Sequence, residues 1–405
     1  MAHRAAVRQL PLFALLVPGV TMMTTALAAE TIRGLYEGER LEQALVDARA
    51  RTLAIYGHLD LDDLRVERIP IVNLPLWELA HIAWFQEYWC LRGGDDSRPT
   101  LLSGADAMFN SSTVPHATRW TLDLPDAQRV HTYLSETLDA AREALATASE
   151  EDRYFFKLAV VHEDMHGEAL LMTLQTLELP APPRMQLRAR AFAPEARARD
   201  IALAGGEFVQ GSGRGDFVFD NEAPPKPVHV AAFTIASHPV TQGEYARYVD
   251  ETHAAAPRYW RKVEGAWQRR SFDRWLTLEA GEPMVHVSLP EAQAYCDWAG
   301  RRLPTESEWE FAARALGDDF AWGEVWEWTS TPFAPYPGFA PGPYRDYSQP
   351  WFHDHYVLRG ASLVTRSRIA NPRYRNFYLP HRGDMFAGFR TCIIDSGGPP
   401  RIEER

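Results

Sequence analysis

Two histidines one helical turn apart are the first residues of this sequence whose spacing suggests chemistry. They frame the string His162-Glu163-Asp164-Met165-His166. Residues four apart lie above one another on one face of a helix, so the two imidazoles can bind a single cation. Glu168 follows closely, but at about 100° per residue it lies roughly 200° around the helix from His166. We therefore expect Glu168 to have a supporting or structural role and not to bind the metal.

His81 is the best candidate for a third ligand. It lies in a mainly apolar stretch, and its helix face is shared by aromatic side chains: Trp77, Trp84, Phe85 and Tyr88. A histidine among aromatic rings has few polar partners unless something binds it. Metal sites in helical bundles are built from side chains on facing helices. The sequence therefore predicts a metal site of His81, His162 and His166, and three neutral imidazoles suit zinc, iron(II), nickel or copper.

Two other interpretations of the histidine pair stay open at this point. His162-Glu163-x-x-His166 matches the H-E-x-x-H pattern of zinc proteases, in which the glutamate is the general base. The separate helix bearing His81 argues against a protease. A histidine pair at this spacing also arises by chance, and a buried histidine often does no more than hydrogen-bond a backbone carbonyl.

The elements that must position these histidines are helices. Residues 35–178 contain four amphipathic stretches, which predict a four-helix bundle. The second helix opens at Asn73-Leu74-Pro75, where asparagine is a good cap and proline is tolerated in the first turn. It carries His81, and the fourth helix, over about 152–178, carries the histidine pair. The long connection over 93–124 is neither helical nor of low complexity, which is typical of a functional loop.

The remainder of the chain has a different character. Residues 179–200 are rich in proline, arginine and alanine and are predicted to be a linker. From 201 to 395 glycine, proline and tryptophan increase, and we predict an irregular α+β domain with helices at about 241–251 and 289–315. Residues 396–405 form a tail.

Composition excludes several classes of protein. Lys+Arg 42 against Asp+Glu 54 gives a net charge of −12 without a basic block, so nucleic acid is not an expected partner. Three scattered cysteines do not make a disulfide framework. No segment is long and apolar enough to span a membrane. Residues 1–34 have the outline of a secretory signal or of a mis-started extension, and we otherwise expect a cytoplasmic protein.

The second half of the chain contains six short motifs. They are P-M-V-H-V-S at 283–288, R-L-P-T-E-S-E-W-E at 302–310, V-W-E-W-T at 325–329, L-R-G at 358–360, R-N-F at 375–377 and G-F-R at 388–390. This half resembles the formylglycine-generating-enzyme or sulfatase-modifying-factor domain, which has a C-type-lectin-like fold. The copper-binding cysteine pair of those enzymes is not evident, since Cys296 and Cys392 occupy positions typical of a core. The helical half, with His81, His162, His166 and Glu168, resembles the DinB-like domain.

The combination of the two halves resembles the ergothioneine-type sulfoxide synthases. These are non-heme iron(II) oxidoreductases that use O2 to join a sulfur donor to the imidazole of hercynine. The resemblance implies an α plus α+β architecture, in which an N-terminal DinB-like four-helix bundle precedes the irregular C-type-lectin-like domain. It also implies iron(II) as the cofactor, held by the three histidines.

Several positions differ from the usual pattern of that family. Met165 replaces a glutamine, Tyr378 replaces an acidic residue, and no tyrosine stands in 338–342, near the position of the family's catalytic phenol. With N-L-P-L-W-E-L at 73–79 and N-F-Y-L-P-H-R at 376–382, these differences resemble most the selenoneine-forming branch, which joins hercynine to a selenosugar. A neutral sugar donor needs no acidic clamp. Cysteine and γ-glutamylcysteine remain the alternative donors.

The resemblance also implies roles for individual residues. The candidates for a catalytic phenol are Tyr344, Tyr347 and Tyr378. The candidates for substrate binding in the C-terminal half are Asn376, Phe377, Tyr378 and Arg382. Trp84, Phe85 or Phe377 could face the trimethylammonium of hercynine, with core packing as the alternative for each ring. Arg119, in the long connection, could bind a carboxylate or sugar hydroxyls, with a simple surface arginine as the alternative.

Two functions of other classes remain alternatives. DinB-like bundles with three histidines also resemble metal-dependent thiol transferases, which need no O2. A lectin-like domain can act as a binding module alone, with the histidines as a structural site. The oligomeric state does not follow from the sequence.

Overall fold

The computed structural model describes residues 39–61, 66–183, 185, 187, 189–192, 198–213 and 217–394. The predicted signal or extension at 1–34 and the tail at 396–405 lie outside the described residues. The described chain is a helical domain followed by a sheet-rich domain, which confirms the predicted α plus α+β fold class. In the described parts of the chain, no helix combines the length and the hydropathy needed to cross a membrane.

The N-terminal domain is a bundle of four main helices and one short helix. They are α1 (Glu39–Tyr56), α2 (Pro75–Gln86), the short α3 (Ala105–Phe109), α4 (Ala127–Leu145) and α5 (Arg153–Thr176). Helix α1 packs against α4 and α5, and α2 packs against the same two helices. Each of the four predicted helices is therefore present, and α2 and α5, which carry the histidines, face each other.

The N-terminal caps predicted from the sequence can be compared with the observed helix ends. Asp126 caps α4, and its side chain accepts a hydrogen bond from the backbone N–H of Arg129 at 2.7 Å. The predicted cap of α2 is wrong, because Leu74 precedes the helix and Asn73 instead accepts a hydrogen bond from Arg119. After Gln86 the helix widens into a π-helical turn, Glu87–Leu91.

The C-terminal domain contains many short strands and three helices. The strands are β1 (Asp200–Leu203), β2 (Gly206–Gln210), β3 (Lys226–Val230), β4 (Phe233–Ala236), β5 (Trp260–Val263), β6 (Ala266–Ser271), β7 (Arg274–Thr277), β8 (Arg301–Arg302), β9 (Trp326–Pro332), β10 (Tyr356–Gly360), β11 (Asn376–Tyr378), β12 (Ala387–Gly388) and β13 (Cys392–Ile393). The helices are α6 (Gln242–Thr252), α7 (Leu289–Ala299) and α8 (Glu306–Leu316). The prediction of one helical stretch over 289–315 is wrong, because Gly300, at φ 63°, ends α7 in the left-handed conformation.

Two small sheets form the centre of this domain. One has the strand order β1-β4-β13-β8 and the other β11-β10-β9-β12. Strands β2 and β3 pair separately, and β5, β6 and β7 form an antiparallel meander. Cys296 and Cys392 are buried free thiols, as expected for core positions.

The hydrophobic core continues from one domain into the other. Buried side chains of α5, such as Leu170 and Leu174, belong to the same cluster as Trp326 and Leu358 of the second central sheet. The C-terminal domain also contacts the face of α5 opposite the histidines, where Ser362 and Thr365 donate hydrogen bonds to Glu168. The histidine-bearing helix is therefore enclosed on both sides.

Candidate metal centre

The structure brings the three predicted histidines together. One ring nitrogen from each of His81, His162 and His166 lies within 4.8 Å of the corresponding nitrogens of the other two. The ring centroid of His81 is 5.2 Å from that of His162 and 4.9 Å from that of His166. The centroids of His162 and His166 are 4.4 Å apart. His81 and His162 are buried, and His166 is partly exposed.

Hydrogen bonds fix the orientation of two of these rings. His81 Nδ1 lies 2.7 Å from the carbonyl oxygen of Phe109, and His166 Nδ1 lies 2.7 Å from Oε1 of Glu78. A carbonyl and a carboxylate only accept hydrogen bonds, so Nδ1 carries the proton in both rings. The Nε2 lone pair of each ring is then left to bind a metal.

Aromatic side chains pack around the rings and exclude water. The Phe85 ring is parallel to His162 at a centroid distance of 3.4 Å. Trp77 stacks on His81 at 5.0 Å, with an interplanar angle of 7°. Burial and then the neighbouring imidazoles hold the pKa values of His81 and His162 well below the usual range. Both rings are therefore neutral at physiological pH, the form that binds metals.

The acidic residues between the two histidines of α5 do not point into the cluster. Glu163 forms a buried ion pair with Arg49 of α1, with Nε and Oε1 2.8 Å apart. Asp164 pairs with Arg368 of the C-terminal domain. Because both oxygens of the Glu163 carboxylate are held by Arg49, this side chain is not available as a base beside the histidines. The zinc-protease alternative is therefore wrong.

Glu168 lies in the interface between the domains. Its Oε1 accepts hydrogen bonds from the indole of Trp326 at 2.6 Å and the hydroxyl of Ser362 at 3.0 Å, and Oε2 accepts from Thr365 at 2.9 Å. This agrees with the expected structural role. Burial raises the pKa of the Glu168 carboxyl, and its three hydrogen bonds oppose that rise.

The donor set fits a divalent transition metal. Three imidazole nitrogens come from two facing helices, and two of the three rings are oriented by hydrogen bonds at their other nitrogen. Three protein ligands leave further coordination positions for substrates, which is typical of a catalytic and not of a closed structural site.

Of the three predicted tyrosines, Tyr344 is the one whose ring contacts the cluster. Its centroid lies 6.2 Å from that of His162 and 5.0 Å from that of Phe85. Burial raises the pKa of Tyr344 to about 12. Tyr347 is bonded to the hydroxyl of Tyr374 at 2.9 Å. Tyr378 is directed towards Met172, on the Glu168 side of α5.

The predicted substrate-binding residues of the helical domain are already engaged with their own chain. Phe85 covers His162, and the indole of Trp84 donates to Asp106 at 2.7 Å. The Arg119 guanidinium lies 3.7 Å from the ring centroid of Trp77 and donates to Asn73 and to the carbonyl of Val114. These contacts assign Arg119 a packing role behind the His81 ring.

The predicted residues of the C-terminal domain are also held by local contacts. Asn376 Oδ1 accepts from the backbone N–H of Phe377 at 2.9 Å, and the Phe377 ring stacks on Phe333 at 4.1 Å. Arg382 forms a bidentate pair with Asp384, at 2.5 and 2.6 Å. The structure does not bring these side chains into contact with the histidine rings.

Two residues of the site were missed by the sequence analysis. Glu78 orients His166, and its position three residues before His81, inside an apolar helix, was a usable signal for a buried acid with a specific partner. Arg368 contacts the helix between the two histidines from another domain. No pattern along the chain indicates that contact.

Comparison with known proteins agrees with both halves of the structure. Residues 44–175 match the DinB superfamily, and residues 188–324 match the sulfatase-modifying factor enzyme 1-like domain. Among solved structures, PvdO from Pseudomonas aeruginosa aligns with 51% of this chain and 99% of its own, with a TM-score of 0.38 and 19% identity.

Two curated relatives match over both domains. The hercynine oxygenase of Mycobacterium tuberculosis is 34% identical over 424 residues, covering 87% of this chain and 98% of the relative. That of Mycolicibacterium thermoresistibile is 32% identical over 425 residues, covering 87% of this chain and 94% of the relative. The chain therefore belongs to the hercynine oxygenase family, the ergothioneine-type sulfoxide synthases that its motifs resemble.

Proposed function

We propose that this protein is an iron(II)- and O2-dependent enzyme that forms a bond between the imidazole carbon of hercynine and a sulfur or selenium donor. The observation that carries the proposal is the convergence of three histidine side chains from α2 and α5, within a family whose relatives are named hercynine oxygenases. His81, His162 and His166 would hold the metal. When bound, iron supplies oxygen activation and a common centre for both substrates.

The residues of this chain have separate tasks around that centre. Glu78 and the carbonyl of Phe109 keep two imidazoles in the ligating tautomer. Phe85 and Trp77 cover the rings and exclude water. The Tyr344 phenol is protonated at neutral pH, as an ordinary tyrosine is, and burial raises its pKa further, to about 12. It is therefore the group that we propose as the proton donor.

A thiol is the donor that family membership supports. The ergothioneine-type enzymes that the motifs resemble use cysteine or γ-glutamylcysteine, and the relatives match the chain across both domains. With a thiol donor, the product is the corresponding sulfoxide of hercynine.

A selenosugar is the second candidate, and one observation favours it. Arg382 is neutralised by Asp384, and Arg119 is packed on Trp77 and bonded to its own chain. Neither predicted arginine is then free to bind the carboxylate of an amino-acid donor. A neutral sugar requires no such cation, and Tyr378 in place of an acidic residue agrees with that requirement.

The test supplies iron(II)-loaded protein with hercynine and O2, and with cysteine, γ-glutamylcysteine or a selenosugar in separate reactions. Mass spectrometry of the products identifies the donor. We expect coupling that requires O2 and that is lost in His162→Ala. Equal product without O2 would support the thiol transferase instead. Binding of ligand with no product from any donor would support the binding module.

A further inference from the structure

The helix that carries two of the histidines is held from its opposite face by the other domain. Asp164 lies between His162 and His166 in sequence, and at about 100° per residue it projects roughly 200° away from His162. There it meets Arg368 in a bidentate pair, with Nε–Oδ2 2.5 Å and Nη2–Oδ1 2.7 Å. The Asp164 side chain has no exposure to solvent, and that of Arg368 has 9%.

The same guanidinium reaches a second helix. Arg368 Nη1 donates to Oδ2 of Asp47, in α1, at 2.7 Å. One side chain of the C-terminal domain therefore connects α1 to α5. Two of its guanidinium nitrogens bind Asp164, in the turn of α5 that lies between the two histidines. Arginine suits this task, because its planar fork fixes both the distance and the angle of a carboxylate.

One turn further along α5, Glu168 also contacts the C-terminal domain. It accepts hydrogen bonds from Ser362 and Thr365, which belong to the same loop as Arg368, residues 362–368. Two carboxylates on one face of α5 are thus bound by a single loop. Both carboxylates lie opposite the histidines, so the loop contacts α5 on the face turned away from the three rings.

Small rotations of this helix matter for metal binding. A rotation of about 20° moves an atom roughly 5 Å from the helix axis by about 2 Å. Metal–nitrogen distances tolerate deviations of only about 0.2 Å. His81 is on α2 and does not follow such a rotation.

We infer that Arg368 is a positioning residue for the metal centre. By holding Asp164, it sets the rotation of α5 and therefore the positions of His162 and His166 relative to His81. The inference rests on the proposed metal site. It means that the C-terminal domain helps to position the histidines by holding the opposite face of α5.

The test compares Arg368→Met with Arg366→Met in the full-length protein, with Co(II) as the probe. Arg366 is in the same loop and pairs with the same Asp47, but on the exposed side, so it is a matched control. The readouts are the Co(II) affinity from chelator competition and the visible absorption spectrum of the bound ion. Circular dichroism and the melting temperature of the metal-free proteins report folding separately.

We expect Arg368→Met to bind Co(II) at least about 10-fold more weakly, with an altered spectrum, and Arg366→Met to match the wild type. Arg368→Lys keeps a cation but not the fork, and should recover part of the affinity. If Arg368→Met does not fold, Asp164→Asn removes the same ion pair and is measured in the same way.

The inference is overturned if the metal-free variant melts earlier while its Co(II) affinity and spectrum are those of the wild type. Its failure is separable from failure of the metal site. Wild-type protein that does not bind Co(II), or that binds it equally well after His162→Ala, would refute the site itself.

Discussion

Glu78 and His166 are joined by a hydrogen bond of 2.7 Å that crosses from α2 to α5. The carboxylate is fully buried, and among the described residues its Oε2 has no hydrogen-bond partner. A buried negative charge on the far nitrogen of an imidazole makes the near nitrogen a stronger ligand. Glu78 therefore has a role in the proposed metal site as well as in the fold.

Glu78→Gln should weaken metal binding while keeping the hydrogen bond. The amide oxygen still accepts from His166 Nδ1, but the negative charge is lost, so we expect metal affinity to fall about 10-fold. Chelator competition measures this affinity. Glu136→Gln, on the exposed surface of α4, is the control and should change nothing. An unchanged affinity in Glu78→Gln would show that the hydrogen bond alone matters.

Metal binding should stabilise the protein, and only through the histidines. At a free metal concentration 100 times the dissociation constant, linkage raises the free energy of unfolding by about 2.7 kcal/mol. We expect a corresponding rise in melting temperature with iron(II) or Co(II). The rise should disappear in His166→Ala. A rise that persists in that variant would place the bound metal elsewhere.

Tyr344→Phe separates the proposed proton donor from simple packing. The substitution keeps the ring against Phe85 and removes only the hydroxyl. General-acid groups typically contribute about 10²–10⁴-fold to rate, so we expect turnover to fall within that range with metal affinity unchanged. Tyr347→Phe is the matched control. It removes a hydroxyl bonded to Tyr374, and should lower stability without slowing turnover.

Glu222 should make the stability of the C-terminal domain depend on pH. Burial is the main cause that raises the pKa of this carboxyl from 4.5 to about 8. The folded state then holds a proton that the unfolded state releases, so the stabilisation is complete below pH 4.5 and is lost as the pH rises towards 8. The slope for one such group is about 1.4 kcal/mol per pH unit.

Glu222→Gln should remove that slope, because the amide does not titrate. Denaturant unfolding at several pH values between 5 and 8, the interval in which the group titrates, gives the comparison. The stability of the variant relative to the wild type should rise with pH over this interval. Parallel curves for the two proteins would show that Glu222 is ionised in the fold.

The clustering of the three histidines was predictable because helix periodicity is a local property. The spacing of His162 and His166 fixes a shared face, and the aromatic stripe around His81 indicates a buried position. The same geometry predicted that Glu168 points away from the histidines, and in the structure it bonds to the C-terminal domain instead. The four main helices follow from the same periodicity.

Several contacts that the sequence did not predict depend on how other segments fold around a residue. Asn73 was expected to cap a helix, but Arg119 competes for its side chain. Tyr378 lies on the Glu168 side of α5, since the pairing of β11 with β10 and not its distance in sequence decides where it points. Arg382 pairs with Asp384, which is only two residues away, so this contact is local.

The loop at 362–368 and the acidic residues of α5 form one unit, although more than 190 residues separate Glu168 from Ser362. Neither half of the protein can therefore be exchanged independently for its counterpart from a homologue. A chimaera that keeps the helical half and takes a foreign C-terminal half would carry buried carboxylates without donors. A working chimaera therefore needs the 362–368 loop and the acidic residues of α5 to come from the same parent protein.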